Sequence, residues 1–159
     1  MDKRIVYSAA AFAVAAGGYV GLSTAGVKLP FVPPLYYYGL EAWGYGHAAD
    51  LVGIMLAYLF VAMSSLLFFG RAAPLAMALE GLKYASLYTY GRVYPFDFLF
   101  VVPQLVAVYA GLMLSANAEA DFDHKGSVFK AWQLPLVIFV GGAALALALY
   151  LLRPPFVSG

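Results

Sequence analysis

Four stretches of this chain, residues 6–25, 51–70, 98–116 and 134–152, stay apolar for about the 20 residues that an α-helix needs to cross a bilayer. Hydrocarbon offers no water to backbone amides and carbonyls, so a segment that enters it must satisfy them internally as a helix. The sequence therefore predicts an all-α, polytopic transmembrane helical bundle. Composition agrees. Hydrophobic residues make up 64% and charged residues 11%, against about 45–50% and about 25% in a soluble domain, and mean hydropathy is +0.84. The 159 residues suit a single integral membrane domain over 1–159.

A fifth stretch, 72–91, is long enough to span but carries Glu80 and Lys83. Ser86 and Thr89 continue the same spacing and complete a polar stripe that drifts slowly around a helix. Such a stripe fits a fifth span buried in a bundle, and it also fits an amphipathic helix lying at the membrane surface. Four spans plus this fifth is the expected architecture, because surface and re-entrant helices are the rarer arrangement.

Positive charge orients the N-terminus to the cytoplasm in either arrangement. With five spans Lys3, Arg4, Arg71, Lys125 and Lys130 lie inside, and Lys28, Arg92 and Arg153 outside. With four, Lys83, Arg92 and Arg153 move inside while Lys125 and Lys130 move outside. Met1-Asp2-Lys3-Arg4 before an apolar run also resembles the start of a secretory signal. The run continues to about Ala25, so an uncleaved first helix is expected, in a multi-pass protein of the cell membrane.

Two polar connections stand out. Residues 27–50 hold Pro30, Pro33 and Pro34, which forbid a continuous helix. Tyr36, Tyr37, Tyr38 and Trp43 follow, and such rings prefer the headgroup level. This segment reads as an external cap. Residues 117–131, with Glu119, Asp121, Asp123, His124, Lys125 and Lys130, read as a polar loop, with Trp132 anchoring the next span.

Small residues mark helix contacts, since in lipid close backbone approach and dispersion replace a hydrophobic force between helices. The first helix contains a Gly17-xxx-Gly21 pair and the last a Gly142-xxx-Ala146 pair. Each should touch another helix tightly, in this chain or another.

Few residues offer chemistry. The net charge of +1, without a clustered basic face, argues against a nucleic-acid partner. The chain has no cysteine, which excludes disulfides, thiolate nucleophiles, zinc–thiolate sites and iron–sulfur clusters. Its two histidines, His47 and His124, lie outside the spans and on opposite faces of a five-span bundle. In that arrangement the placement argues against a bis-His haem held by this chain alone, and the sequence leaves the cofactor, if any, unknown. No catalytic or metal site is assigned. Asp50 reads as a helix-start carboxylate beside His47, with Glu41 slightly before it. The 119–124 acids lack the spacing of a calcium loop, although Gly126 follows them. Pro103 and Pro135 fall in or near spans, where they would kink a helix. Asparagine and glutamine are scarce (Asn117, Gln104, Gln133), as in thermophilic proteins, and membrane chains are poor in both anyway.

Tyr94-Pro95-Phe96-Asp97-Phe98 opens a stretch, 94–111, that resembles a motif of membrane lycopene cyclases, a proline and paired acids before an apolar run. Phe96-Asp97 stands in place of the paired acids and the match covers 18 of 159 residues. No function is carried over from it, and Asp97 reads as the acid of an ordinary helix start.

These features predict a non-catalytic integral subunit of a larger membrane complex, with membrane lipid and either other membrane subunits or further copies of itself as partners. Two alternatives stand beside it. In one, a small transporter or channel, Glu80, Lys83, Ser86 and Thr89 form an intramembrane polar site lining a path. In the other, a lipid- or isoprenoid-modifying enzyme, Asp97, Glu80 or Asp50 acts as an acid.

Overall fold

A computed structural model of the chain describes residues 3–32, 46–66, 70–91, 95–123 and 128–152. Five α-helices make up nearly all of it: α1 (Lys3–Thr24), α2 (Gly46–Leu66), α3 (Ala73–Thr89), α4 (Val101–Asp123) and α5 (Val128–Leu152). A 3-10 turn, Pro95–Phe100, leads into α4, and no strand occurs among the described residues.

Contacts along the helices set their directions. Arg4 reaches Gly70 at the start of α3, Phe12 meets Tyr84 in the middle, and Tyr90 bonds to Leu29 beyond the end of α1. Helices α1 and α3 are thus parallel. Tyr58 and Val106 meet at Gly142, and Ala62 and Ser65 meet Gly111, so α2 and α4 run together. They run opposite to α3, because Phe98 packs on Tyr84 while Leu112 meets Gly70. Helix α5 begins where α4 ends and returns to touch the 3-10 turn. The five helices alternate in direction along the chain.

Among the described residues three segments are long and apolar enough to cross a membrane: Lys3–Thr24, Pro95–Asn117 and Trp132–Leu152. The expected count of four spans plus a fifth is not confirmed by helix length and composition. The apolar part of α2, Leu51–Leu66, is shorter than the expected 51–70, and 67–69 lie outside the described residues. The fifth stretch is a 17-residue helix, about 25 Å long, with its two charges at the centre.

Helix α3 is the least apolar long element near the centre of the bundle and also the best covered. Ala73, Ala76, Gly81 and Ala85 let it sit close to its neighbours, and Met77, Tyr84 and Leu87 are buried with them. Its exposed side carries Leu75 and Leu79, whereas Glu80, Lys83 and Ser86 point inward. That is the reverse of an amphipathic helix lying on a membrane, which turns polar residues outward to water.

The polar loop expected over 117–131 is helical at both ends, since α4 continues to Asp123 and α5 starts at Val128. Ala116, Ala118, Glu119 and Ala120 are good helix formers, so the helix outlasts its apolar stretch. Of the expected cap, 27–32 has no regular secondary structure, and 33–45 lie outside the described residues. Pro103 falls in the first turn of α4, where it interrupts no backbone hydrogen bond, and Pro135 lies inside α5.

Candidate functional site

Glu80 and Lys83 are one turn apart on α3, and both are buried, at 7% and 6% exposure. The Lys83 ammonium donates to Glu80 Oε2. Its Nζ also lies 4.6 Å from the ring centroid of Tyr84, close enough for a cation–π attraction. A second donor reaches the same carboxylate oxygen: Gln104 Nε2 on α4, at 2.7 Å. An unpaired carboxylate at this depth would be costly. Here one oxygen receives an ammonium and an amide, and two helices are tied together by it.

Gln104 itself is 3% exposed. Its amide oxygen, Oε1, is buried and has no hydrogen-bond partner. The cluster thus contains one surplus acceptor.

Its level in the bundle follows from the glycine beside it. A Cβ on Gly81 would stand 2.5 Å from the Phe12 carbonyl oxygen, so α3 and α1 are in backbone contact there. Phe12 is at the middle of the 22-residue α1, and Gln104 is close to the middle of Pro95–Asn117. The charge cluster therefore sits at mid-height of the apolar helices.

The remaining members of the polar stripe part company. Ser86 is fully buried and its Oγ accepts the Val32 N–H at 2.8 Å, which pins the segment after α1 onto α3. Thr89 is exposed at the end of the helix. Asp97, read from sequence as an ordinary helix-start acid, is in the first turn of the 3-10 segment but only 2% exposed. Its neighbour Phe98 packs on Tyr84 and Tyr88. The side chains of Glu41, His47, Asp50, Glu119, Asp121, Asp123 and His124 lie outside the described residues. Among the described ones no three His, Asp or Glu side chains gather as metal ligands would.

The two small-residue pairs also differ. Gly142 faces Tyr58 and Val106, and Ala146 is 1% exposed. Nearby, the Tyr58 hydroxyl donates to the Phe139 carbonyl at 2.6 Å. Gly17 and Gly21 point outward, and a Cβ at either would meet nothing within 4 Å among the described residues.

Sequence reasoning missed Gln104, Gly81 and Gly111. Gln104 is the only amide in its apolar run, which could have marked it. Gly81-xxx-Ala85 and Ala107-xxx-Gly111-xxx-Ser115 are small-residue spacings of the same kind as those singled out on the first and last helices.

No protein-family model, no curated protein and no solved structure matches this chain.

Proposed function

We propose that the chain is a five-span, non-catalytic subunit of a larger complex in the cell membrane, with its N-terminus cytoplasmic, and that the outer face of α1 receives a helix of another subunit. The observation that carries this reading is the contrast between its glycines. Gly81, Gly111 and Gly142 each meet a neighbouring helix, whereas Gly17, Gly18 and Gly21 line an open face of α1. Glycines in a lipid-facing helix contribute neither propensity nor packing, but against a second helix they permit close approach.

Two further features support it. The alternating helices, with α3 turning leucines outward, suit five crossings. The donors on Glu80 come from within the chain, which suits a polar interior that holds helices together.

Gentle extraction followed by subunit analysis tests the reading. Stoichiometric partner subunits should co-purify, and Gly17→Leu with Gly21→Leu should release them while the chain stays folded. Recovery of a lone chain that transports or converts a solute would refute it.

A specific observation favours a second reading, a small transporter. The surplus acceptor at Gln104 lies beside an intramembrane ion pair, and polar groups at that depth often mark substrate or ion routes. Solute flux that disappears in Glu80→Gln while the fold persists would decide for it.

A further inference from the structure

Helices α1 and α3 end side by side, and between their ends lies a cavity of about 360 Å³. Tyr19, Ser23, Lys28, Leu29, Thr89 and Tyr90 line it, together with Gly26 and Val27. We propose that it binds the phosphodiester headgroup of a bilayer lipid. The inference rests on the membrane reading but not on the subunit role.

Depth comes first. Phe12 and Gly81 mark mid-height, and Thr24 is 12 residues further along α1, or about 18 Å at 1.5 Å per residue. The hydrocarbon half-thickness is about 15 Å and the headgroups extend to about 20–22 Å from the centre. The end of α3, Thr89, lies eight residues beyond Gly81, or about 12 Å, so a bundle centred in the bilayer holds this cavity across the boundary between hydrocarbon and headgroups.

The walls are built. Residue Gly26, at φ 84°, takes the left-handed conformation that ends a helix. The Val27 N–H returns to Leu22 O and the Gly26 N–H to Ser23 O. The chain then turns across the end of α3, where the Tyr19 hydroxyl donates to Pro30 O at 2.7 Å and the Tyr90 hydroxyl to Leu29 O at 2.9 Å. Together with Ser86 holding Val32, these bonds make the rim a fixed strap.

The chemistry is that of a phosphate. Lys28 is the one charged side chain of the lining among the described residues, and the hydroxyls of Ser23 and Thr89 can donate beside it. Helix C-termini ordinarily repel anions, through the partial negative charge of their last carbonyls. In α1 those of Gly21, Leu22 and Ser23 already accept N–H groups, as do those of Ser86 and Tyr88 in α3, and Lys28 supplies a cation beside them. Val27 and Leu29 offer apolar surface for the start of the acyl chains.

The test uses the full chain in nanodiscs of phosphatidylcholine doped with spin-labelled phosphatidylglycerol, phosphatidylcholine or diacylglycerol. Both phospholipids should show an immobilised component that Lys28→Ala reduces at least several-fold and Lys28→Arg restores. Diacylglycerol, which lacks the phosphate, should show none that depends on Lys28. Equal immobilisation of all three lipids, or no effect of Lys28→Ala, overturns the site. Saturable binding of inorganic phosphate in detergent, without lipid immobilisation in nanodiscs, overturns the lipid as its source. Resistance of the chain to alkaline extraction from membranes is measured alongside. Its loss would remove the membrane reading itself, whereas its retention with unaltered lipid signals would remove only this site.

Discussion

Gln104 and Glu80 are 24 residues apart in sequence and 2.7 Å apart in the bundle. Their bond joins α4 to α3 at the oxygen that also receives Lys83, so the ion pair is a junction of two helices. Its energetics can be separated by substitution.

Glu80→Gln and Lys83→Met should each destabilise the bundle by about 3–5 kcal/mol, because either leaves an uncompensated buried charge. The double variant should recover most of that loss. Thermal unfolding of the four forms in one detergent measures the coupling. Single variants as stable as the parent would show that water reaches the pair. A stable double variant that has lost a transport activity would move the cluster from structure to function.

Gln104→Leu removes one hydrogen bond to Glu80 and, with it, the surplus acceptor at Oε1. A bond to a charged group contributes about 1.5–3 kcal/mol, while a buried unpartnered polar atom costs about 1–3 kcal/mol. The two offset, so Gln104→Leu should change stability by about 1 kcal/mol or less. Gln104→Glu sets a second carboxyl group beside the first in a buried site and should be more harmful than Gln104→Leu. Denaturation curves of the two variants check their order.

Gly81→Ala drives a methyl group into the Phe12 carbonyl oxygen, a backbone atom that cannot swing aside. The helices must part, and a loss of about 1–3 kcal/mol, the range for overpacking, should appear in thermal melts. Gly17→Ala meets nothing within 4 Å. It should leave the isolated chain's stability unchanged or slightly raised by helix propensity, while weakening any association through α1. Comparing melts with cross-linking yields separates the two glycines.

The chain lacks cysteine, so single-cysteine labelling reports topology without background. In the five-span arrangement, cysteines at positions 71 and 127 react from the cytoplasmic side and one at 157 from the outside. If 127 reacts from outside and 157 from the cytoplasm, α3 does not cross and the four-span arrangement holds.

The sequence by itself determined the helical class and the three longest apolar helices, because run length and the backbone's need for internal hydrogen bonds are local properties. It also showed that Glu80 and Lys83 could meet, since residues three apart share a helix face. It did not reveal Gln104 as their partner, the burial of Asp97, or that Gly142 packs inward while Gly17 and Gly21 face out. Hydropathy orients a helix when one side meets water and the other a core. For helices apolar all round, lipid and protein interior are nearly equivalent, and the inward face is chosen by close packing against particular neighbours. Only the tertiary structure contains those neighbours: the Phe12 carbonyl over Gly81, Tyr58 against Gly142, and Gln104 at the carboxylate of Glu80.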